Sequence, residues 1–587
     1  MASPLKVVVR VIGAAIALVL VAVALYAGNV AIGMRVAAPA SGTLIGTSVT
    51  APVQILRDAR DVPHIRAGNE HDMFFAQGFV EGSDRLFQID LLRRYVEGTL
   101  AEVLGSALLA TDERSREVPV AAIVQREWMA LTARQRADLH AFADGVNASM
   151  RAQPTPVEFR LLLYRPQPWT PKDSLAVGFA TVLDLTDTWD DIAPRDRLWR
   201  AKRFESADPL SDPCYDVPVT DGLAAVRPAA SRCVSTFRSL LDARPPVGSN
   251  QWAAGAAHTT TGRALLANDP HLRLGIPGVW YLVDLQSPGY HVAGATLAGT
   301  PGVILGHNDR VAWGATNGTV ASLCVFAAPA RLPQAGWRPQ TIHVRFGRDV
   351  VRRYYSDARS FGVRLKNGRF VLVRWAAYDD ATSPLATFDR LDRARTIEDA
   401  VAALSTYPGP TQNFVLADTS GRAAYYLAGS IPDDPAWARY VHPASDLART
   451  YPAIAFSALP HVAASRDAVV WTSNNKMYGA GYPLRLSPQF APPYRAYRVA
   501  RLLAARTTYD VASFAKMQMD TFSPAEYELA QRARSRRANQ AAFVAALHAW
   551  NGYLTPDSTG GAQAVALRRA IVARGPSFMA ALMNQRR

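Results

Sequence analysis

The chain predicts an α+β fold with sheets stacked between helical layers. From Ser249 onward the sequence reads as one antiparallel hairpin after another. Helical sequence is segregated from these strands, lying before them in "FFAQGFVEGSDRLFQIDLLRRYVEGTLAEVLG" and after them in "YRAYRVARLLAAR" and "PAEYELAQRARSRRANQAAFVAALHAW". A length of 587 residues with 49% hydrophobic content supplies a large core and more than one structural lobe.

The N-terminus comes first. Lys6 and Arg10 precede an apolar run over residues 11–28, which is broken by Asn29 and resumes over residues 30–33. No polar face interrupts the run. A positive start followed by such a run is an export signal or a membrane anchor. Ala38, Pro39 and Ala40 resemble a small-residue cleavage site but lie far from the start of the run. The reading is an uncleaved anchor over residues 1–40, with the rest exported to the periplasm or cell envelope.

Residues 41–204 open with the strand-like "VQILRDARDVPHIRA" and then turn helical. Asn69 is placed as an N-cap and Asp72 as its capping-box partner. Phe75, Phe79, Leu86 and residues 89–92 then recur at helical spacing. Residues 205–248 are rich in Pro, Asp, Ser and Ala and read as a linker or excisable spacer.

Residues 249–587 carry the hairpins. "QWAAGAAHTTTGRALLAND" is strand, turn, strand. "VWYLVDLQSPGYHVAGATL" turns at Pro288 and Gly289, and "NFVLADTSGRAAYYLAG" at Ser420 and Gly421. "VRLKNGRFVLVRW" places Asn367 and Gly368 between β-rich arms, a strong hairpin signal.

The net charge of +15 raises nucleic acid or anionic lipid as partners. The arginines are scattered and form no basic run with interleaved aromatics, so nucleic acid is not expected. Of the three cysteines, Cys214 and Cys233 lie close together in irregular sequence and Cys324 is isolated. In an oxidising compartment the first two form a disulfide or stay as free thiols, and the sequence leaves both open.

The chemistry centres on "PVGSNQW". A serine hydroxyl is a poor nucleophile without a base. The chain has 11 histidines but no G-x-S-x-G elbow. Another solution uses the backbone amine of the nucleophile itself, which exists only if the serine is residue one of a chain. A free α-amine titrates at about 7.7–8.0, so a useful fraction is neutral near pH 7. Ser249 Oγ attacking the Gly248 carbonyl would create that amine through an ester that water hydrolyses. Gly248 has no Cβ to obstruct the approach.

Here the sequence resembles the penicillin acylases of the N-terminal-nucleophile hydrolase superfamily, from about Leu44 to about Leu547. "RDARDVPHIRA", "FAQGFVEGSDRLFQIDLLRR", "GSNQWAAG", "LLANDPHL", "QNFVLADTSGRAAYYLAG" and "SNNKMYGAGYPLRLSPQFAPPYRAYRVARLL" follow in the family's order. The resemblance implies a four-layer αββα sandwich. It also implies a small subunit from residues 41–204 and a large one from residues 249–587, forming an αβ heterodimer. Ser249 would be the nucleophile and its freed amine the base, flanked by Asn250 and Trp252. His271 would help orient the amine. The Asn317 backbone N–H and the Asn413 side-chain amide would bind the oxyanion. The implied reaction is acyl-amide hydrolysis, on substrates such as penicillin-type amides or N-acyl homoserine lactones, with no metal or organic cofactor.

Three departures stand against a simple transfer. Asp434 occupies a place where the family has an arginine, leaving Arg422 or Arg439 to compensate. Ala321 and Cys324 stand where carboxylates of a structural calcium site are expected, so that site reads as lost; Asp190 and Asp191 are its remnants or a solvated acidic pair. The large-subunit region also reads as shortened at its C-terminus. The alternative is a catalytically degenerate member with a binding or envelope-associated role.

Overall fold

The computed structural model describes residues 4–35, 41–43, 48–186, 189–201, 215–223, 248–320, 322–375, 382–434, 436–437, 439–487, 490–533 and 540–574. Strands β1 to β6 are Gln54–Arg57, Pro63–Arg66, Gly248–Ala254, Leu265–His271, Trp280–Ser287 and Tyr290–Leu297. Strands β7 to β12 are Leu305–Asn308, Val311–Asn317, Leu323–Ala327, Trp337–Ile342, Val350–Tyr355 and Phe361–Arg364. Strands β13 to β17 are Phe370–Trp375, Gln412–Asp418, Ala423–Ala428, His461–Ser465 and Val469–Thr472.

A nine-stranded sheet runs β1-β2-β5-β6-β7-β8-β14-β15-β16. It is antiparallel except where β2 lies parallel to β5. Two three-stranded sheets, β17-β3-β4 and β12-β13-β9, and the pair β10-β11 complete the strands. The architecture is α+β. All four hairpins expected from the sequence form, as β3–β4, β5–β6, β12–β13 and β14–β15.

Alternation along β14 shows how the nine-stranded sheet is covered. Phe414 and Leu416 join a core shared with helices Glu70–Glu97 and Ala133–Ala152. Val415 points the other way, into a core shared with Trp252, Trp471 and helix Tyr494–Ala504. Both faces are therefore apolar, and β14 is buried along its whole length.

The two long helices approach closely because glycines face the contact. A Cβ on Gly78 would lie 2.0 Å from Phe142 O, and one on Gly145 would lie 1.9 Å from Phe75 O. Asn69 is the N-cap expected of the first helix, its side chain accepting the Asp72 N–H at 2.8 Å. The capping box does not form. The Asp72 carboxylate instead accepts from Thr50 N, Thr50 Oγ1 and Ala51 N at 2.7–3.1 Å, because the incoming chain lays these donors across the helix end.

Helix Pro4–Arg35 contains the apolar stretch. An 18-residue window within residues 8–35 has a mean hydropathy of 2.8 with none of it buried, and among the described residues this helix alone is long and apolar enough to cross a membrane. Tyr26 Oη donates to Leu161 O at 3.0 Å and Arg160 donates to Asn29 Oδ1 at 2.8 Å. Residues 38–40, Cys214 and Cys233 lie outside the described residues. Within the stretch read as spacer, Tyr215, Val217 and Val219 are buried. Asn475 Nδ2 holds Val217 O at 2.8 Å, and Lys476 pairs with Asp216.

Candidate active site

Gly248 and Ser249 begin β3, flanked by β4 and β17. Gly248 lies opposite His271, Ser249 opposite Pro270 and Asn250 opposite Asp269. Trp252 fixes this strand from behind. It is buried beside Phe514, with ring centroids 6.1 Å apart, and serves as a core anchor. Gln251 ties β3 to its neighbours by donating to Asn413 O at 2.7 Å and Thr472 Oγ1 at 2.9 Å.

Two residues absent from the sequence-based list hold Ser249. Asn474 Oδ1 accepts the Ser249 backbone N–H at 2.7 Å. Arg495 Nη1 donates to Ser249 O at 2.7 Å and to Asn250 Oδ1 at 2.9 Å, while Nη2 donates to Asn474 Oδ1 at 2.9 Å. Arg495 sits in the first turn of helix Tyr494–Ala504. Burial pushes its pKa down to about 10 against the pull of Asp269, so it remains a cation at neutral pH. The Ser249 hydroxyl makes no hydrogen bond among the described residues.

Gly248 is required by this packing. A Cβ there would lie 2.4 Å from Arg495 Nη2 and 3.0 Å from Asn474 Oδ1. Asn474 itself has φ +61°, a left-handed conformation that asparagine tolerates better than most residues.

The expected site residues converge here with altered partners. His271 Nε2 lies 2.9 Å from Asp269 Oδ2, and the Ser249 nitrogen is bound by Asn474, not by His271. Asn317 ends β8; its side chain donates to Leu185 O at 2.7 Å, at the end of helix Pro171–Leu185. Its carbonyl accepts from Asn474 Nδ2 at 2.9 Å. Asn413 is fully buried, with Nδ2 donating to Thr316 Oγ1 at 3.1 Å and Asn317 O at 3.3 Å, and Oδ1 accepting from Tyr425 Oη at 2.7 Å. Its amide is thus engaged with protein groups. Asn268 bridges the two sheets, donating to Asn250 O at 3.0 Å and Ala315 O at 3.1 Å.

The departures also find places. The Asp434 carboxylate accepts the Ala436 N–H at 2.8 Å within its own turn. Arg422 is engaged by Asp418 and Glu398, at 2.7 and 2.6 Å, so the cation that reaches Ser249 is Arg495. Asp190 accepts from Arg114 at 2.5 Å and from the Lys366 N–H at 2.9 Å, joining chain segments far apart in sequence. Cys324 is buried within β9. Among the described residues no group of three or more His, Cys, Asp or Glu is arranged to hold a metal ion.

Comparison with known proteins matches the sequence to a family. Residues 52–582 fit the family model described as Penicillin amidase. The chain is 28% identical over 576 residues to the penicillin acylase 2 proenzyme of Pseudomonas sp. (strain SE83), covering 91% of this chain and 73% of that one. It is 28% identical over 535 residues to the acyl-homoserine lactone acylase QuiP of Pseudomonas aeruginosa, covering 83% of this chain and 62% of that one. The chain therefore spans less than two thirds of QuiP. A solved thermostable penicillin G acylase from Alcaligenes faecalis superposes with a TM-score of 0.43 at 18% identity, over 52% of this chain and 60% of that one. By the match over most of its length, this chain belongs to the penicillin amidase family.

Proposed function

We propose that this protein is a self-processing amide hydrolase that removes an acyl chain from an amine. The observation that carries the reading is the cradle around Ser249, whose nitrogen is held by Asn474 and whose carbonyl is held by Arg495.

In maturation, Ser249 Oγ attacks the Gly248 carbonyl. The peptide bond breaks as the ester forms, the Ser249 nitrogen takes the proton, and water hydrolyses the ester. In turnover, Ser249 Oγ attacks the substrate amide and its α-amine takes the hydroxyl proton. The amine then passes that proton to the leaving amine, and water, giving a proton to the α-amine, attacks the acyl ester to release the acid and restore the Ser249 hydroxyl. Asn474 Oδ1 accepts one amine N–H and leaves the lone pair free to act as base. The Arg495 cation disfavours the protonated amine, which keeps the base in its working form near neutral pH. The oxyanion rests on the Asn317 N–H and on Asn413 Nδ2, which turns from Thr316 and the Asn317 carbonyl toward the substrate. Losing one such donor typically lowers the rate about 10²–10³-fold. His271, paired with Asp269, borders the amine. No step calls on a metal or organic cofactor.

The two pieces would stay together as an αβ heterodimer in the four-layer αββα arrangement of N-terminal-nucleophile hydrolases, since helix Glu70–Glu97 shares its core with β5, β6 and β14. The burial of Tyr215, Val217 and Val219 supports a reading in which the excised part of the spacer begins after Leu223. Helix Pro4–Arg35 would anchor the enzyme to the membrane, with the remainder in the periplasm or envelope. The relatives' names point to penicillin-type amides and N-acyl homoserine lactones as substrates. The engaged amide of Asn413 favours a second reading, a member that has lost turnover and keeps a binding role.

Intact masses and the N-terminal sequence of the larger fragment test the proposal. The expected result is a fragment beginning at Ser249, no cleavage in Ser249→Ala, and release of amine from an acyl-amide panel. A well-folded chain that remains whole overturns self-processing. A cleaved chain without turnover supports the second reading.

A further inference from the structure

Several chain segments meet at one end of the nine-stranded sheet. They are the ends of β2 and β5, the start of β6, the turn between β7 and β8, and the loop after helix Pro384–Asp392. Parallel pairing sets Arg66 opposite Gln286, and the Ala67 amide donates to Gln286 O at 2.9 Å. Between these segments lies a cavity of about 1020 Å³, whose wall includes Arg66, Ser287, Arg310, Asp392 and Arg395. None of these residues belongs to the Ser249 network.

The charge on this wall is mainly positive. Arg66, Arg310 and Arg395 are exposed, and among the described residues their guanidinium groups make no hydrogen bond or ion pair. Arg393, also on the wall, is already matched by Glu70 at 2.8 Å and Asp389 at 3.0 Å. Asp309, an exposed acid on the wall, lies 2.7 Å from His291 Nδ1, and His291 Nε2 lies 3.1 Å from Asp284. The remaining acid, Asp392, is buried, and burial pushes the pKa of its carboxyl up, toward the neutral form.

The frame is fixed. Asn308 Nδ2 donates to Leu391 O, Asp392 O and Ala394 O at 3.3, 3.1 and 2.8 Å. Asp392 Oδ2 accepts from Tyr290 Oη at 3.0 Å and from the Val303 N–H at 3.1 Å. Two polar atoms of the wall are left over. Among the described residues, Ser287 Oγ and Asp392 Oδ1 are both buried without a hydrogen-bond partner. Buried polar atoms are rarely left so unless something else completes them.

We infer that this cavity is a binding site for a phosphomonoester, with Arg66, Arg310 and Arg395 matching the phosphate dianion and Ser287 Oγ, shielded from the cavity, turning toward the bound group to add a neutral donor. Guanidinium forks suit phosphate oxygens in paired hydrogen bonds, and a dianion uses more than one of them. The cavity volume, near the upper end for small-molecule sites, leaves room for a polar body beyond the phosphate. A soluble sugar or glycerol phosphate and a phosphorylated lipid headgroup share this chemistry. The site stands apart from the amidase reading and does not depend on it.

The test uses the full chain. In uncharged detergent micelles, glycerol 3-phosphate binding is followed by ³¹P NMR titration. In nanodiscs, binding is compared with and without phosphatidic acid in phosphatidylcholine. Saturable binding is expected in at least one arm. The triple variant Arg66→Gln, Arg310→Gln, Arg395→Gln should weaken it about tenfold or more, and Ser287→Ala about threefold. The control triple Arg263→Gln, Arg338→Gln, Arg359→Gln removes the same charge from exposed positions elsewhere and should leave binding intact. Ser287→Ala, a small change, decides the matter if the triple variant does not fold. Binding of free glycerol 3-phosphate assigns a soluble ligand; binding confined to phosphatidic acid assigns a headgroup. The inference is overturned if neither probe binds saturably, if the control triple weakens binding equally, or if Ser287→Ala leaves the affinity unchanged.

Discussion

Asn474 Oδ1 accepts the Ser249 N–H at 2.7 Å while Asn474 Nδ2 donates to Asn317 O at 2.9 Å. One side chain thus joins the candidate nucleophile to the end of the strand proposed to supply an oxyanion donor. Asn474 makes both contacts from a left-handed backbone, with φ +61°. Arg495 closes the arrangement by donating to the same Oδ1 and to Ser249 O.

Substitution at Asn474 separates its two roles. Asn474→Gly keeps the left-handed backbone without strain and loses both hydrogen bonds. Asn474→Ala loses the same bonds and adds about 1–2 kcal/mol of backbone strain. Both variants should slow cleavage at Ser249 about tenfold or more. Of the two, Asn474→Ala should show the lower unfolding temperature. Time courses of fragment formation and thermal melts of the two variants side by side check this.

At Gly248 the obstacle is steric. The added methyl of Gly248→Ala would sit 2.4 Å from Arg495 Nη2. Either the guanidinium or β3 has to move, and overpacking of this kind costs about 1–3 kcal/mol. Cleavage should slow about tenfold or more while the far-ultraviolet circular dichroism stays unchanged. Cleavage at the wild-type rate would mean that Arg495 yields without consequence and is not needed for the step.

Much of the scaffold is legible in local sequence, and the cradle is not. Pro288 with Gly289 and Asn367 with Gly368 announce their turns because turn chemistry is decided within a few residues. Asn69 announces a helix start for the same reason. Ser249 is visible through its flanking residues, and His271, Asn317 and Asn413 through resemblance. Asn474 and Arg495 lie 225 and 246 positions from Ser249 in the chain. Their roles depend on β17 pairing with β3 and on a helix packing behind it, which no local pattern encodes. The spacing of Asp72 after Asn69 fits a helix cap. Thr50 and Ala51 claim its carboxylate through tertiary placement, which overrides the local preference.

Glu127 gives a stability prediction with a defined sign. Burial pushes its pKa up to about 8, with Ser383 Oγ donating to it at 2.9 Å. An unfolded glutamate titrates near 4.3. Between about pH 4.3 and 8 the unfolded chain has released the proton that the folded chain still holds, so stability falls as pH rises through that window. Glu127→Gln stays neutral and can still accept from Ser383. It should be more stable than wild type at pH 7 by about 1 kcal/mol or more, with the difference shrinking toward pH 4. Melting temperatures across pH 4–8 measure it, and a difference independent of pH would contradict the assignment.

Arg495 sets the pH at which the proposed amine base works. A cation beside the amine disfavours the ammonium form and lowers its pKa below the ordinary 7.7–8.0. Activity that needs the neutral amine then persists to lower pH. Arg495→Gln removes the charge, so the acidic limb of kcat/KM should move to higher pH by about 0.5–1 unit. Arg495→Lys keeps the charge and loses the fork that binds Ser249 O, Asn250 Oδ1 and Asn474 Oδ1 together. It should lower kcat about tenfold or more while leaving the limb near its wild-type position. The measurements use material whose larger fragment begins at Ser249, made by co-expressing the two pieces where self-cleavage stalls. If Arg495→Gln and Arg495→Lys shift the limb equally, the guanidinium acts by geometry alone and the electrostatic role is wrong.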